Sequence, residues 1–305
     1  MNRTGVKRVF RVPVHEGKFF RGEITMKFTK MQGCGNDYVY VNCFTETVTD
    51  PEKIVGAISD RHFGIGSDGL VLICPSELAD CRMRMFNPDG SESEMCGNAI
   101  RCVAKYVYDR NIIHHSPITV ETLAGIKRIE VHTDENDIAR TLTVDMGAPV
   151  TEAADVPVIA EHSPVKDLKL SAFGREFTFT CVSMGNPHAV TFIDSDVKDF
   201  EVERFGKIFE PDVHVPRRAN IEFVETVDPE HLKMRVWERG TGETLACGTG
   251  TSATVVAACL NGICPRKPVT VDLLGGKLII EWKESDGHVY MTGPAEFVFD
   301  GEWNY

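Results

Sequence analysis

The chain has 305 residues and a mass of 33.9 kDa, enough for two domains with sizeable cores. Hydrophobic residues at 42% and charged residues at 26% exclude a disordered chain, and no stretch approaches the roughly 18 unbroken apolar residues of a membrane span. Lys plus Arg (33) against Asp plus Glu (45) leaves a net charge of -12, which repels phosphate backbones and anionic lipid, so the expected partner is a small molecule, with no nucleic acid and no membrane.

Residues 1–25 differ from the rest of the chain: six basic side chains (Arg3, Lys7, Arg8, Arg11, Lys18, Arg21) stand against Glu16 and Glu23 in an otherwise acidic protein. They read as an N-terminal extension outside the fold. Met26 is the expected start, because Arg21-Gly22-Glu23 can be encoded by a purine-rich stretch placed as a ribosome-binding site would be. From there the text predicts a strand (Met26 to Thr29), a glycine-rich turn and a second strand (Tyr38 to Val41). Asp50-Pro51 opens a helix through about His62. Ile100, Val103, Ala104 and Val107 recur at helical spacing after Cys96, predicting an amphipathic helix that ends near Asn111.

Further along come strands at Phe177 to Val182 and Ala189 to Ile193, a helix over Asp199 to Phe209, and strands at Ile221 to Val224 and Lys233 to Trp237. A second amphipathic helix carries Ala253, Val256, Ala257 and Leu260 after Cys247 and stops at Asn261-Gly262. The last predicted strands are Val269 to Leu273, Lys277 to Trp282 and Phe297 to Phe299.

The two halves repeat. Arg84 through Gly97 aligns without gaps on Arg235 through Gly248, with Arg, Glu, Cys and Gly coinciding, and Asn36 precedes Cys96 by 60 residues where Asn186 precedes Cys247 by 61. The expected fold is α+β: two pseudo-symmetric lobes, 26–145 and 146–290, each a curved, mostly antiparallel sheet wrapped around a central helix, with the active site in the cleft between them. Residues 291–305 would form a C-terminal strand returning to the first lobe.

Ten cysteines without a secretory signal read as reduced and cytoplasmic. No C-x-x-C pair occurs, so no metal site is expected. Cys96 and Cys247 each sit at the start of a helix, where first-turn N–H groups lack intrahelical partners and the dipole favours an anion. A thiol there should ionise more readily, and Gly97-Asn98 and Gly248-Thr249-Gly250 leave room for a carboxylate on the backbone. The other eight cysteines, Cys34 among them, read as core or incidental. Two thiols flanking one α-carbon from opposite faces could invert it, one as thiolate base and the other as thiol acid. No Schiff-base lysine or dinucleotide fingerprint is evident, so no cofactor is expected.

The motifs Gly33-Cys34-Gly35-Asn36-Asp37, Arg61-His62-Phe63-Gly64-Ile65-Gly66-Ser67-Asp68-Gly69, Phe86-Asn87-Pro88-Asp89-Gly90-Ser91, Met95-Cys96-Gly97-Asn98, Met184-Gly185-Asn186-Pro187-His188 and Glu238-Arg239-Gly240 before Ala246-Cys247-Gly248-Thr249-Gly250 together resemble the diaminopimelate epimerase family from Met26 to the C-terminus. That resemblance implies interconversion of LL- and meso-2,6-diaminopimelate without pyridoxal phosphate, in lysine and peptidoglycan-precursor synthesis, by a homodimer. Cys96 and Cys247 would be the acid/base pair. Gly97, Asn98, Gly248 and Thr249 would hold the carboxylate at the reacting centre, and Asn36, Asn87, Asn186, Asn220, Glu238 and Arg239 the remaining polar groups. His188 and Glu238 resemble positions that tune the thiols. One departure is Gly69, where some members use a glutamine to bind substrate.

Three other readings stand beside this one, of which a non-enzymatic binding protein would leave the paired thiols unexplained. A proline or hydroxyproline racemase would share Cys247-Gly248-Thr249-Gly250, although such enzymes resemble Cys-Gly-His where this chain has Cys96-Gly97-Asn98. A thiol redox protein would pair Cys96 with Cys247 in a reversible disulfide.

Overall fold

The computed structural model describes residues 10–11 and 25–304. The chain divides into two compact units, one made of the described residues of Met1–Leu142 with Pro294–Tyr305, the other of Thr143–Gly293. The divisions fall at 142/143 and 293/294, against the 145/146 and 290/291 expected from the sequence.

In the first unit the elements run β1 (Phe10–Arg11), β2 (Thr25–Gly33), β3 (Asn36–Asn42), α1 (Pro51–Ser59), β4 (Leu70–Cys74), β5 (Cys81–Phe86), β6 (Glu92–Ser93), α2 (Gly97–Asp109), β7 (Ile118–Thr122) and β8 (Gly125–Thr133). Strand β9 (Ala139–Gly147) carries the chain into the second unit. That unit contains β10 (Leu168–Ala172), β11 (Arg175–Ser183), β12 (Pro187–Phe192), a 3-10 turn at Val197–Asp199, α3 (Val202–Phe209), β13 (Asn220–Asp228), β14 (His231–Glu238), β15 (Gly242–Thr244), α4 (Gly248–Leu260), β16 (Val269–Leu273), β17 (Gly276–Trp282) and β18 (Val289–Pro294). The last strand, β19 (Glu296–Asn304), pairs antiparallel with β2 in the first unit.

Of the segment set apart by composition, Phe10–Arg11 pairs in parallel with β19, Phe10 opposite Gly301. The rest of residues 1–24, and with it the expectation about the chain start, lies outside the described residues.

The two units share one strand order. In the first, β19, β2, β3, β4, β5 and β6 are neighbours in turn, and β5 also pairs with β7; in the second the same succession is β10, β11, β12, β13, β14 and β15, with β14 also pairing β16. Their parallel pairings coincide: β3 with β4 and β5 with β7, β12 with β13 and β14 with β16. The fold is therefore α+β and internally duplicated.

Alternation along the strands sends side chains to two cores in each unit. In β3, Val39 and Val41 join Ile54, Val55 and Ile58 of α1, whereas Tyr40 lies beside Cys102 of α2. In the second unit Phe177, Phe179, Phe200, Phe205, Phe209 and Phe223 form an aromatic cluster with α3, several of them in edge-to-face contact about 5 Å apart. The helices after the two cysteines are the deeply placed ones. Every residue of α2 from Gly97 to Tyr108 is buried, and α2 lies against β2, β3, β7 and β8; α4 lies against β11, β12, β13 and β17. A helix covered on all sides must satisfy its polar residues internally. Lys105 does so by donating to the Asp109 carboxylate at 2.9 Å and to the Ala139 carbonyl.

The two shorter helices differ from expectation. Helix α1 stops at Ser59 and not near His62, because the Asp60 carboxylate accepts the N–H groups of His62 and Phe63 at 2.7 and 2.8 Å and turns the chain away. The helix expected from Asp199 is broken at Phe200 and Glu201, where the 3-10 turn gives way to α3.

Candidate active site

Each unit builds its own constellation around the start of its central helix. Cys96 is the N-cap of α2 and Cys247 the N-cap of α4, both in extended backbone conformation with a glycine as the first helical residue. Equivalent turns precede the asparagines expected to contact substrate. Gly35 (φ 80) leads into Asn36 and Gly185 (φ 99) into Asn186, a left-handed conformation that favours glycine.

In the first unit the half-buried Cys96 Sγ donates to Asn36 Oδ1 at 3.4 Å. Asn36 is oriented in turn by Asp68, whose Oδ2 accepts from Asn36 Nδ2 at 2.8 Å and from the Asp37 N–H at 3.0 Å. Arg61 bridges Asp68 and Asp37, each at 2.8 Å. Beneath the helix start lies Arg101, fully buried, donating to the Gly97 carbonyl (3.0 Å), to Asn98 Oδ1 (2.8 Å) and to the Pro294 carbonyl (3.1 Å). A guanidinium in that position adds positive potential to the α2 N-terminus and fixes the Asn98 amide. Cys34 is buried 3.9 Å from Arg101. Asn87 is engaged in its own turn, where its amide donates to Ser91 Oγ at 3.0 Å.

In the second unit the expected residues fall into two groups, one around Cys247 and Glu238 and one around His188. Cys247 is buried, and its sulfur accepts the Gly250 N–H at 3.4 Å and lies 3.5 Å from Thr249 Oγ1. The Glu238 carboxylate stands near enough to act on this thiol, and it accepts from Thr244 Oγ1 at 2.5 Å. Asn220 Oδ1 accepts the Arg239 N–H at 2.8 Å, while the exposed Arg239 guanidinium donates to the Arg217 carbonyl at 3.0 Å. His188 is buried, with Nε2 3.0 Å from Asn186 Oδ1 and Nδ1 2.7 Å from Glu222 Oε1.

The expectation that a thiol at a helix start ionises more easily is corrected for Cys247. Burial pushes this thiol well up, the neighbouring carboxylates of Glu238 and Glu222 push it further, and the Gly250 N–H and Thr249 hydroxyl only partly offset them. Desolvation likewise raises the Glu238 carboxyl, against the opposing pull of Thr244 and His188.

Glu222, Arg101 and Asp68 are among the side chains around these sites that were not singled out from sequence. Glu222 had a legible signal, a lone carboxylate in the apolar run Ile221-Glu222-Phe223-Val224, which calls for a buried partner. Arg101 sits between Ile100 and Cys102, off the apolar stripe of Ile100, Val103, Ala104 and Val107 from which the helix was predicted.

Gly69 has a structural reason. Val39 pairs with Leu70 and Ala189 with Ile221, so Gly69 occupies in the first unit the position that Asn220 holds in the second. A Cβ at Gly69 would stand 2.2 Å from the Phe86 carbonyl oxygen. The backbone leaves no space for a side chain there, so Gly69→Gln is expected to lower stability by about 3 kcal/mol, read by urea unfolding, and not to add a ligand contact.

Among the described residues no group of three or more His, Cys, Asp and Glu side chains is placed to hold a metal ion, and no helix is long and apolar enough to cross a membrane.

The family model described as diaminopimelate epimerase matches residues 28–152 and 180–298. A diaminopimelate epimerase of Methanococcus maripaludis strain C6 is 58% identical over 277 residues, covering 91% of this chain and 99% of the relative. One from Acetivibrio thermocellus is 57% identical, with 91% and 98% covered. Among solved structures, a phenazine biosynthesis protein of the PhzF family from Bacillus anthracis superposes with a TM-score of 0.67 at 19% identity, covering 92% of this chain and 99% of that one. A hydroxyproline epimerase from Agrobacterium vitis gives 0.64 at 14% identity, with 92% and 91% covered. At such identities these two structures establish the shared fold alone.

Proposed function

Since this chain belongs to the diaminopimelate epimerase family and is an isomerase, we propose that it interconverts LL- and meso-2,6-diaminopimelate without a cofactor, using Cys96 and Cys247 as its two bases. The observation that supports this most is the duplication itself: one cysteine in each unit, at the N-cap of the topologically equivalent central helix.

In this mechanism one sulfur, as thiolate, removes the α-proton from one face and becomes a thiol. The other thiol delivers its proton to the opposite face and becomes a thiolate. No net proton is gained or lost, and exchanging the roles runs the reaction backwards. The N–H groups of Gly97, Asn98, Gly248 and Thr249 hold the carboxylate of the reacting centre and stabilise the charge that builds on it as the carbanion forms. Glu238 and Arg239 meet the ammonium and carboxylate groups, with Asn36, Asn87, Asn186 and Asn220 supplying amide contacts.

The raised Cys247 thiol rests protonated, ready to act as the acid. For the reverse direction Cys247 gives up a proton and Cys96 gains one, so that the pair as a whole keeps a single exchangeable proton, and the Glu238 carboxylate beside Cys247 is placed to relay the first of these transfers. His188 contributes to the field at Glu238, which supports the tuning role that the family resemblance implies for both residues. The setting we infer is lysine and peptidoglycan-precursor synthesis in the cytoplasm, by a homodimer.

Incubating the protein with LL-diaminopimelate in deuterated water tests this directly. Inversion should be accompanied by one α-deuterium per product molecule. Inversion with retention of the substrate hydrogen, or no inversion, would refute the proposal.

A further inference from the structure

We propose that Glu222 is a positioning residue which, acting through His188, holds the Asn186 amide with its N–H2 end toward the ligand, so that this corner of the second unit selects an acceptor such as a carboxylate oxygen. The inference rests on the reading of Asn186 as a ligand contact and adds to it the group that sets its orientation.

The His188 and Glu222 side chains are both fully buried, and His188 Nδ1 lies 2.7 Å from Glu222 Oε1. A ring nitrogen and a carboxylate oxygen at that distance require a hydrogen between them, so Nδ1–H donates to Glu222. Asn220 Nδ2, at 3.3 Å from the same nitrogen, is the longer and subordinate contact, its amide being oriented by the Arg239 N–H on Oδ1.

On the other side of the ring, Nε2 faces Asn186 Oδ1 at 3.0 Å, so Nε2 donates as well. A ring donating from both nitrogens is an imidazolium, here in direct contact with the Glu222 carboxylate. Glu222 Oε2 is buried without a hydrogen-bond partner among the described residues, so His188 is the cationic partner this carboxylate has. The carboxylate is also wedged against the start of α4, because a Cβ on Gly250 would meet Glu222 Oε1 at 2.7 Å.

The consequence is directional. With Nε2–H committed to Asn186 Oδ1, the amide of Asn186 has only donors left to offer. A neutral ring could accept from Asn186 instead, and the amide would turn its oxygen outward, where it would repel a carboxylate.

The test uses the full chain with its histidines labelled with 15N, together with the variants Glu222→Gln, Asn186→Ala and the double variant. In the wild-type protein at neutral pH both ring nitrogens of His188 should show attached hydrogens, and in Glu222→Gln one should be bare. For a wild-type protein that epimerises diaminopimelate, Glu222→Gln should raise KM about tenfold or more while kcat changes less than about threefold. The double variant should be no worse in KM than Asn186→Ala alone, since the two side chains act in series. A bare ring nitrogen in the wild-type protein, an unchanged KM in Glu222→Gln, or multiplying effects in the double variant would overturn the proposal. The NMR measurement on the wild-type protein needs neither substrate nor a folded variant, so it decides the His188 state even if that protein fails to epimerise, which would instead sink the reading of the function.

Discussion

Cys96→Ala and Cys247→Ala are each expected to lower epimerisation by at least about 1,000-fold, because inversion needs a base on one face of the α-carbon and an acid on the other. Neither substitution should cost the fold. Cys96 is half-buried and Cys247 loses one sulfur at a helix N-cap, so both variants should unfold cooperatively within a few degrees of the parent. The informative readout is α-hydrogen exchange in deuterated water, followed separately for the two isomers. A variant with one thiol left can still remove a proton and return a deuteron to the same face, so it should wash deuterium into one isomer only, with the configuration retained. The complementary variant should prefer the other isomer. Full epimerisation in either variant would rule out the two-base scheme.

Glu238→Gln is expected to lower kcat by about 100- to 10,000-fold, the range that a positioned proton acceptor contributes. Gln is nearly isosteric and can still accept the Thr244 hydroxyl that now lies 2.5 Å from Glu238 Oε1, so the local fold should survive. What is lost is the carboxylate that stands beside the Cys247 thiol. Burial and the Glu222 carboxylate still hold this thiol above its ordinary range in the variant, so without an acceptor it remains protonated. The direction in which Cys247 must act as base should suffer first in single-turnover measurements. Equal loss in both directions would show instead that Glu238 serves mainly to bind the substrate ammonium.

Much of this architecture could be read in one dimension. The gapless match of Arg84 through Gly97 on Arg235 through Gly248, with apolar residues at helical spacing after each, set out two equivalent helices with a cysteine at the head of each. Those features are local: periodicity, a capping position and a small residue after it depend on neighbours a few places away. The ends of α1 and α3 were less legible, since Asp60 competes for N–H groups through its side chain and a break at Phe200 and Glu201 is a matter of packing against the sheet.

Sequence alone determined the duplication, the α+β class, the paired cysteines and the family of the chain. The tertiary structure decided which charges stand beside those groups. Asn36 reaches Cys96 across 60 residues, and His188 reaches Glu222 across 34. Such contacts are made when parallel strands set their registers and a helix is laid across them, so no spacing along the chain records them. The sign of the Cys247 shift has the same origin. A helix terminus favours the thiolate, but burial beside Glu238 and Glu222 opposes it more strongly, and only the folded chain brings those opposing influences to one sulfur.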